Sequence, residues 1–170
     1  MKKAINVIGF YIVWWGCIFG VLNDYTYSGP ILALLFIIIH MKFVAIESME
    51  LKLICYISIL GTIVDTSFIL LGLLGYEGGY GKNIPIAPLW VTSMWACFAM
   101  SINHSMVWLK NKYFFSTLLG IIFGPLVYLS GERVGVIQFI SSFNLTIIVL
   151  AILWGLAIPI MYLINEKLEL

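Results

Sequence analysis

The chain of 170 residues carries little charge: only 10% of its residues are Asp, Glu, Lys or Arg, whereas 62% are hydrophobic. A soluble domain has about a quarter of its residues charged, and a chain this apolar could not bury its hydrophobic surface in water. The net charge of +1 excludes the strongly basic surface that nucleic-acid binding requires. The mean hydropathy of +1.07 predicts instead that the chain folds in membrane lipid.

Cysteine and histidine are also scarce. The three cysteines, Cys17, Cys55 and Cys97, lie inside apolar runs, where they are typical of small buried side chains and not of a disulfide framework. With two histidines in the chain, a metal site would need His40, His104 and carboxylates from separate helices, which is chemically possible. The sequence does not show that these side chains meet, so no metal site is predicted and metal binding by His40 and His104 stays open. The phosphate-binding glycine loop, G-x-S-x-G, H-E-x-x-H and rows of histidine boxes are missing from the sequence. The sequence therefore identifies neither a reaction nor a cofactor.

Long hydrophobic runs, by contrast, fill most of the chain. A transmembrane helix needs about 20 mostly apolar residues, and the runs predict an all-α polytopic membrane protein with six such helices in a compact bundle. The first run continues past MKKAINVIGF without a small-x-small cleavage site, so we expect an uncleaved first span. We predict one integral membrane domain over 1–170, with spans at about 4–22, 30–47, 51–75, 85–109, 113–130 and 136–164.

Basic residues predict the orientation of the six spans. Seven of them fall on the side of the N-terminus: Lys2, Lys3, Lys42, Lys52, Lys110, Lys112 and Lys167. Only Lys82 and Arg133 fall on the other side. Because basic loops are retained on the cytoplasmic side, we expect both termini in the cytoplasm and the protein in the bacterial inner membrane.

A weak similarity recurs at an offset of 80 residues. Trp15-Gly16-Cys17 resembles Trp95-Ala96-Cys97, and Asn23-Asp24 resembles Asn103-His104. This similarity indicates a weak 3+3 inverted repeat, an arrangement common in transporters. Chance similarity between two aromatic-rich helices is the alternative interpretation.

The stretch 88–110 is the most informative part of the sequence. The predicted fourth span contains the triplet Asn103, His104 and Ser105, with Trp95 two turns earlier. Hydrocarbon offers no hydrogen-bond partner to an imidazole or an amide, so these side chains are expected to face other helices or a polar cavity. A hydrogen bond to a neighbouring helix would explain His104 without any function.

Carboxylates and a second histidine complete the candidate residues. Asp65 lies near the middle of the third span, where a carboxylate costs about 2.5–3.5 kcal/mol. His40 and Glu47 are seven residues apart and share a helix face, with Glu50 one turn further on. The structural alternatives are a hydrogen-bonded Asp65 beside neighbouring Thr and Ser residues, and a solvated loop for Glu47 and Glu50.

We predict that Asp65 and His104 line one shared cavity, because they lie on consecutive antiparallel helices. They are the candidate catalytic residues, as acid/base groups, with ligand binding as the alternative role. The residues predicted to bind substrate are His40, Glu47, Glu50, Trp95, Asn103 and Ser105. Gly120 and Gly124, spaced as G-x-x-x-G, predict close helix packing within the chain or across a homodimer.

The sequence resembles a known family through several short motifs. They are PLW at 88–90, Trp95, Phe98-Ala99, the Asn103-His104-Ser105 triplet, Trp108-Leu109 and GPLVYLSGERVG at 124–135. Together they resemble a small bacterial inner-membrane family, domain-of-unknown-function family 2878, over nearly the whole chain. The resemblance implies a compact multi-span protein with no assigned activity. Some such proteins are encoded beside fatty-acyl-modifying enzymes, which implies a link to lipid metabolism. The resemblance implies no role for an individual residue.

Three functions are consistent with these observations, and the sequence does not decide whether the protein is an enzyme. The first is a membrane protein whose polar pocket binds or acts on a lipid, an acyl chain or another hydrophobic small molecule. The second is a small proton- or cation-coupled transporter or exporter in which Asp65 is the switch. The third is a structural or assembly partner in a membrane complex.

Overall fold

Six α-helices and a two-stranded sheet make up the described part of the chain. The computed structural model describes residues 2–81 and 84–168. The helices are α1 (Lys2–Leu22), α2 (Ser28–Phe43), α3 (Glu50–Leu70), α4 (Leu89–Ser101), α5 (Tyr113–Val134) and α6 (Phe143–Lys167), and the strands are β1 (Leu74–Tyr76) and β2 (Ile137–Phe139). A short 3-10 helix, Val107–Leu109, follows α4.

Consecutive helices run in opposite directions. At the start of α1, Lys2 Nζ donates a hydrogen bond to the carbonyl of Val44, just after α2, at 3.1 Å. At the start of α5, the Tyr113 hydroxyl donates to Glu166, near the end of α6, at 2.6 Å. We call the end of the bundle where α1, α3 and α5 begin and α2, α4 and α6 finish the terminal end.

The opposite end of the bundle, which we call the sheet end, carries the two strands. β1 follows α3, β2 follows α5, and they pair antiparallel with Leu74 opposite Phe139. Gly135 follows α5 with a φ of 87°, a left-handed conformation that lets the chain leave the helix and turn into β2. The order helix, strand, helix therefore occurs twice in the chain, as α3–β1–α4 and as α5–β2–α6. The 3+3 repeat stays a prediction.

The outer surface of the bundle is strongly apolar. Helices α1, α3, α5 and α6 are each long and apolar enough to cross a membrane, whereas α2 and α4 have only 16 and 13 residues. Large side chains such as Ile12, Ile59 and Ile152 are more than half exposed on the outside, which indicates contact with lipid. The described residues therefore form a helical membrane protein.

The fourth predicted span is wrong in its extent and in what it contains. A helix was predicted over 85–109, but α4 ends at Ser101 and turns occupy 102–106, so the polar triplet lies beyond the helix. The helix begins late because Pro88 disfavours helical conformation in the residue before it. It ends early where Asn and Ser, whose side chains compete for backbone hydrogen bonds, replace good helix formers.

Other boundaries also differ from the prediction. The predicted span 30–47 ends at Phe43, and Glu50 becomes the first residue of α3. The predicted span 51–75 ends at Leu70, because Gly72 turns the chain with a φ of 65° before β1. The predicted span 136–164 starts as β2, and α6 begins at Phe143. Lys82, predicted on the outer side, lies outside the described residues.

Gly120 and Gly124 face α6 within the chain, which confirms the predicted packing. A Cβ atom at Gly120 would overlap the backbone carbonyl of Trp154, and one at Gly124 would overlap the Trp154 ring. Both glycines are buried. The absence of side chains at these two positions is what allows α5 and α6 to approach closely.

Gly120→Leu is expected to destabilise the bundle, because the new side chain would collide with the backbone of α6. Overpacking of this kind costs about 1–3 kcal/mol, so the thermal unfolding midpoint of the detergent-purified protein should fall clearly. Ile122→Leu, on the exposed side of α5, is the control and should leave the midpoint unchanged. Equal midpoints for the two variants would show that the α5–α6 contact does not depend on this glycine.

Candidate functional site

The first polar cluster surrounds Asp65, whose side chain is fully buried. The hydroxyl groups of Tyr76 and Tyr128 both donate hydrogen bonds to Asp65 Oδ1, the latter at 2.7 Å. Trp95 Nε1 donates to Asp65 Oδ2 at 2.5 Å. A carboxylate has about four lone-pair positions, so this arrangement leaves one acceptor position, on Oδ2, without a donor among the described residues.

Trp95 reaches Asp65 because of what it packs against. Gly61 lies one turn before Asp65 on α3, and a Cβ atom there would overlap the Trp95 ring. On its other side, Trp95 stacks on Trp154 of α6, with ring centroids 4.7 Å apart and planes 6° from parallel. The indole is therefore held between α3 and α6, with its N–H directed at the carboxylate.

Tyr76 comes from β1 and approaches Asp65 from the sheet end. Burial, and to a lesser extent the charge of Asp65, raises the pKa of the Tyr76 phenol well above its ordinary value. The phenol therefore keeps its proton and remains a hydrogen-bond donor. The small sheet has a direct role at the site, because it positions one of the three donors.

A cavity of about 700 Å³ adjoins the Asp65 cluster. Its walls come mainly from α1, α4 and α5, and most of its lining side chains are apolar or aromatic, among them Trp14, Met94 and Phe123. It extends from Ile137 at the sheet end to Met106, which follows the polar triplet. This volume lies within the range of about 300–1,000 Å³ that is typical of small-molecule sites.

A second polar cluster lies at the terminal end. Glu50 Oε2 lies 3.1 Å from His40 Nε2 and 2.8 Å from His104 Nε2. Glu50 Oε1 accepts a hydrogen bond from the backbone N–H of Ile46 at 2.8 Å. The three side chains come from α2, from the first residue of α3 and from the turn after α4, and all three residues are buried.

The other two residues of the triplet bind two further helices. Asn103 Nδ2 donates to Asn165 Oδ1 of α6 at 2.7 Å. The Ser105 hydroxyl donates to Asn6 Oδ1 of α1 at 2.7 Å, and Asn6 Nδ2 donates in turn to the carbonyl of Met100. Three consecutive side chains thus connect the end of α4 to α6, α3 and α1.

The predicted shared cavity of Asp65 and His104 is wrong. Glu50 and Asp65 are 15 residues apart on α3, which corresponds to about 22 Å along the helix axis. His104 lies beside Glu50, at the far end of that helix from Asp65. The two candidates therefore belong to separate clusters, and of the two only Asp65 lines the described cavity.

The remaining candidates divide between these clusters. Trp95 lines the cavity with Asp65, whereas His40 and Glu50 join His104. Glu47 is exposed in the turn between α2 and α3, as the solvated-loop interpretation expects, but that interpretation is wrong for Glu50, which is buried. The catalytic and substrate-binding roles given to these residues stay predictions.

Sequence reasoning missed four polar partners: Asn6, Tyr76, Tyr128 and Asn165. The two tyrosines resemble the many other aromatic residues of the chain, and the two asparagines lie near the ends of apolar runs. The signals that such partners exist were the carboxylate of Asp65 and the polar triplet, both at predicted membrane depth, where polar groups require hydrogen-bond partners.

Asp65→Asn is expected to destabilise the fold. Whichever way the amide turns, at least one of the three hydrogen-bond donors loses its carboxylate acceptor, and an unsatisfied buried donor costs about 1–3 kcal/mol. The thermal unfolding midpoint should therefore fall relative to the parent. Asp24→Asn is the matched control, because Asp24 is exposed and has a φ of 63° that asparagine tolerates. Equal midpoints for the two variants would contradict the structural importance of this carboxylate.

Comparison with known proteins places the chain in a family but gives no activity. No curated protein and no solved structure matches it. A family model described as "Protein of unknown function (DUF2878)" matches residues 3–160, which covers both polar clusters and the cavity walls. The resemblance seen in the sequence is confirmed: the chain belongs to the DUF2878 family of proteins of unknown function.

Proposed function

We propose that the protein is a six-span protein of the bacterial inner membrane that binds, or acts on, a lipid, an acyl compound or another hydrophobic small molecule in the cavity beside Asp65. The single observation that carries this proposal is an elongated apolar cavity that meets one buried carboxylate. Such a pocket matches a long apolar molecule with one polar group.

The free acceptor position on Asp65 Oδ2 defines the polar group. Asp65 is fully buried behind its three donors, so a ligand hydroxyl or amide N–H would donate to that oxygen, beside the N–H of Trp95, only after the lining rings move aside. A ligand carboxylate has no N–H or O–H to donate at that position and would leave it unfilled. The expected ligand class is therefore an acyl or isoprenoid compound with a hydroxyl or amide group, and not a free fatty acid anion.

The cavity borders the lipid-facing surface. Its lining includes Tyr11 on α1 and Phe123 and Leu126 on α5, and each of these side chains is at least half exposed. These exposed lining residues belong to α1 and α5. A hydrophobic molecule could therefore enter sideways from the bilayer without passing through water.

Two observations support the six-span arrangement. Consecutive helices alternate in direction, so the lysines at 2, 42, 52, 112 and 167 share the terminal end while Arg133 lies at the sheet end. The short helix α4 would span about 20 Å alone, and residues 102–109 continue the chain towards the same end. Retention of basic residues in the cytoplasm then orients the terminal end inward.

The two alternative functions, a coupled transporter and a structural or assembly partner, make different predictions about the cavity. A proton- or cation-coupled transporter requires Asp65 to exchange protons or ions as substrate moves, so flux into proteoliposomes would follow a pH gradient. A structural or assembly role requires only that the hydrogen bonds of Asp65 hold the helices. Ligand binding in the cavity without gradient-driven flux supports the proposed function over both.

Leu119→Trp is expected to weaken binding, because Leu119 lines the cavity and the larger ring would fill part of it. The parent protein in lipid nanodiscs should bind a long-chain fatty alcohol in preference to the fatty acid of equal length, as measured by native mass spectrometry. Leu119→Trp should lower alcohol occupancy about tenfold, the effect of losing roughly 1.4 kcal/mol of binding free energy.

Leu118→Trp provides the matched control for this experiment. Leu118 is the preceding residue of α5 and is exposed on the outer surface, so the same substitution adds the same ring outside the cavity. It should leave binding unchanged. Equal alcohol binding by both tryptophan variants, or preference for the fatty acid in the parent, would refute the proposed site.

Cysteine labelling tests the proposed topology. Cys55 is exposed, whereas Cys17 and Cys97 are buried, so Cys55→Ser gives a suitable background. In intact cells a membrane-impermeant maleimide should label Arg133→Cys. It should label Lys112→Cys only after the membrane is permeabilised. The reversed pattern would invert the orientation, and labelling of both sites in intact cells would contradict an odd number of crossings between them.

A further inference from the structure

The cluster of His40, Glu50 and His104 lies apart from the cavity and has no role in the proposed ligand binding. Their three ligand atoms all lie within 4.8 Å of one another, and the residues are 0%, 3% and 5% exposed. We propose that these side chains bind a divalent transition-metal ion, for which Zn²⁺ is the test ion.

The separations between the ligand atoms suit such an ion. Zinc–nitrogen and zinc–oxygen bonds are about 2.0–2.2 Å long, so neighbouring ligand atoms of a tetrahedral site lie about 3.3 Å apart. Glu50 Oε2 lies 3.1 Å from His40 Nε2 and 2.8 Å from His104 Nε2. These two separations lie within about 0.5 Å of the tetrahedral value. The separation between the two histidine nitrogens is at most 4.8 Å, so the rings would close on the ion as it binds.

The two imidazole rings are arranged to converge on one point. Their centroids are 4.8 Å apart and their planes meet at 82°, so the rings are edge-to-face and both direct Nε2 at the same carboxylate oxygen. The other ring nitrogen of His40, Nδ1, has no hydrogen-bond partner among the described residues. In the metal-free cluster Nε2 carries the proton that it donates to Glu50. Binding of the ion through Nε2 would require that proton to leave, with Nδ1 as the ring position that can take it.

The charge of the cluster also favours a cation. The described hydrogen bonds of Glu50 come from two imidazoles and one backbone N–H, and none of these groups carries a permanent positive charge. Burial of an ionised carboxylate costs less with a cation beside it than with neutral donors alone. A divalent ion bound to Oε2 would supply that charge, while the Ile46 N–H on Oε1 would hold the carboxylate in orientation.

The ligand set defines the kind of ion. Imidazole nitrogens suit zinc and other first-row transition metals, whereas Mg²⁺ and Ca²⁺ prefer oxygen ligands. Two histidines and one glutamate leave a fourth position for water or another ligand, as in open zinc sites. Because the ligands come from α2, from α3 and from the turn after α4, the bound ion would also connect three segments of the bundle.

The test uses the full-length protein, purified in detergent with a tag that contains no histidine. After removal of bound metal with a chelator, competition with a chromogenic chelator measures Zn²⁺ binding, and Co²⁺ substitution reports the coordination by visible absorption. We expect one Zn²⁺ per chain, Co²⁺ ligand-field bands, and a rise in the thermal unfolding midpoint with Zn²⁺ but not with Mg²⁺. Failure of the parent protein to bind Zn²⁺ would overturn the proposal and leave a hydrogen-bonded cluster.

Two substitutions identify the ligands. Glu50→Gln and His104→Gln should each weaken Zn²⁺ binding about 100-fold or more. Loss of a residue that only orients a metal ligand typically lowers metal affinity 10- to 100-fold, and loss of the ligand itself should lower it at least as much. Glu47→Gln, an exposed glutamate three residues from Glu50, is the control and should bind as the parent does. Zn²⁺ binding by folded Glu50→Gln and His104→Gln at parental affinity would place the ion elsewhere and refute the site.

Discussion

The arrangement of the bundle around the cavity depends on the need to satisfy one buried carboxylate. Asp65 accepts hydrogen bonds from β1, α4 and α5, so a single side chain of α3 fixes three other elements. The energetic reason is general, because an unpaired carboxylate in an apolar interior is far more costly than one with several donors. Each donor also has an aromatic ring that packs against a neighbouring ring. The site is therefore held by polar and apolar contacts at the same residues.

Buried polar side chains at the terminal end also require hydrogen-bond partners. There, backbone turns after α4 present Asn103, His104 and Ser105 to α6, α3 and α1. Between the two polar ends, contacts are mainly apolar, and lipid provides no hydrophobic force to hold helices together. Close packing at glycines such as Gly61 and Gly120 and hydrogen bonds at the two ends then give the bundle its specific arrangement.

Composition was enough to predict a helical membrane protein, and the cost of burying charge was enough to select Asp65, His40 and His104. The sequence did not predict which of these residues contact one another. The depth of His104 was estimated from a continuous helix over 85–109, whereas α4 ends at Ser101. That early end places His104 beside Glu50. Tyr76 and Tyr128 were missed because tyrosine is also enriched at membrane–water interfaces, where it needs no buried partner. Only the fold shows which phenols reach a carboxylate.

The positions of the Asp65 partners along the chain have a consequence for biogenesis. Tyr76, Trp95 and Tyr128 all follow Asp65 in sequence, so the ribosome has made none of them when α3 is synthesised. Asp65 lies five residues before the end of α3, and a carboxylate without donors opposes insertion of a helix into lipid. The carboxylate of α3 therefore lacks its last donor, Tyr128, until α5 has been synthesised. The hydrogen bonds of this one side chain thus join residues that are synthesised 63 positions apart, from Asp65 to Tyr128.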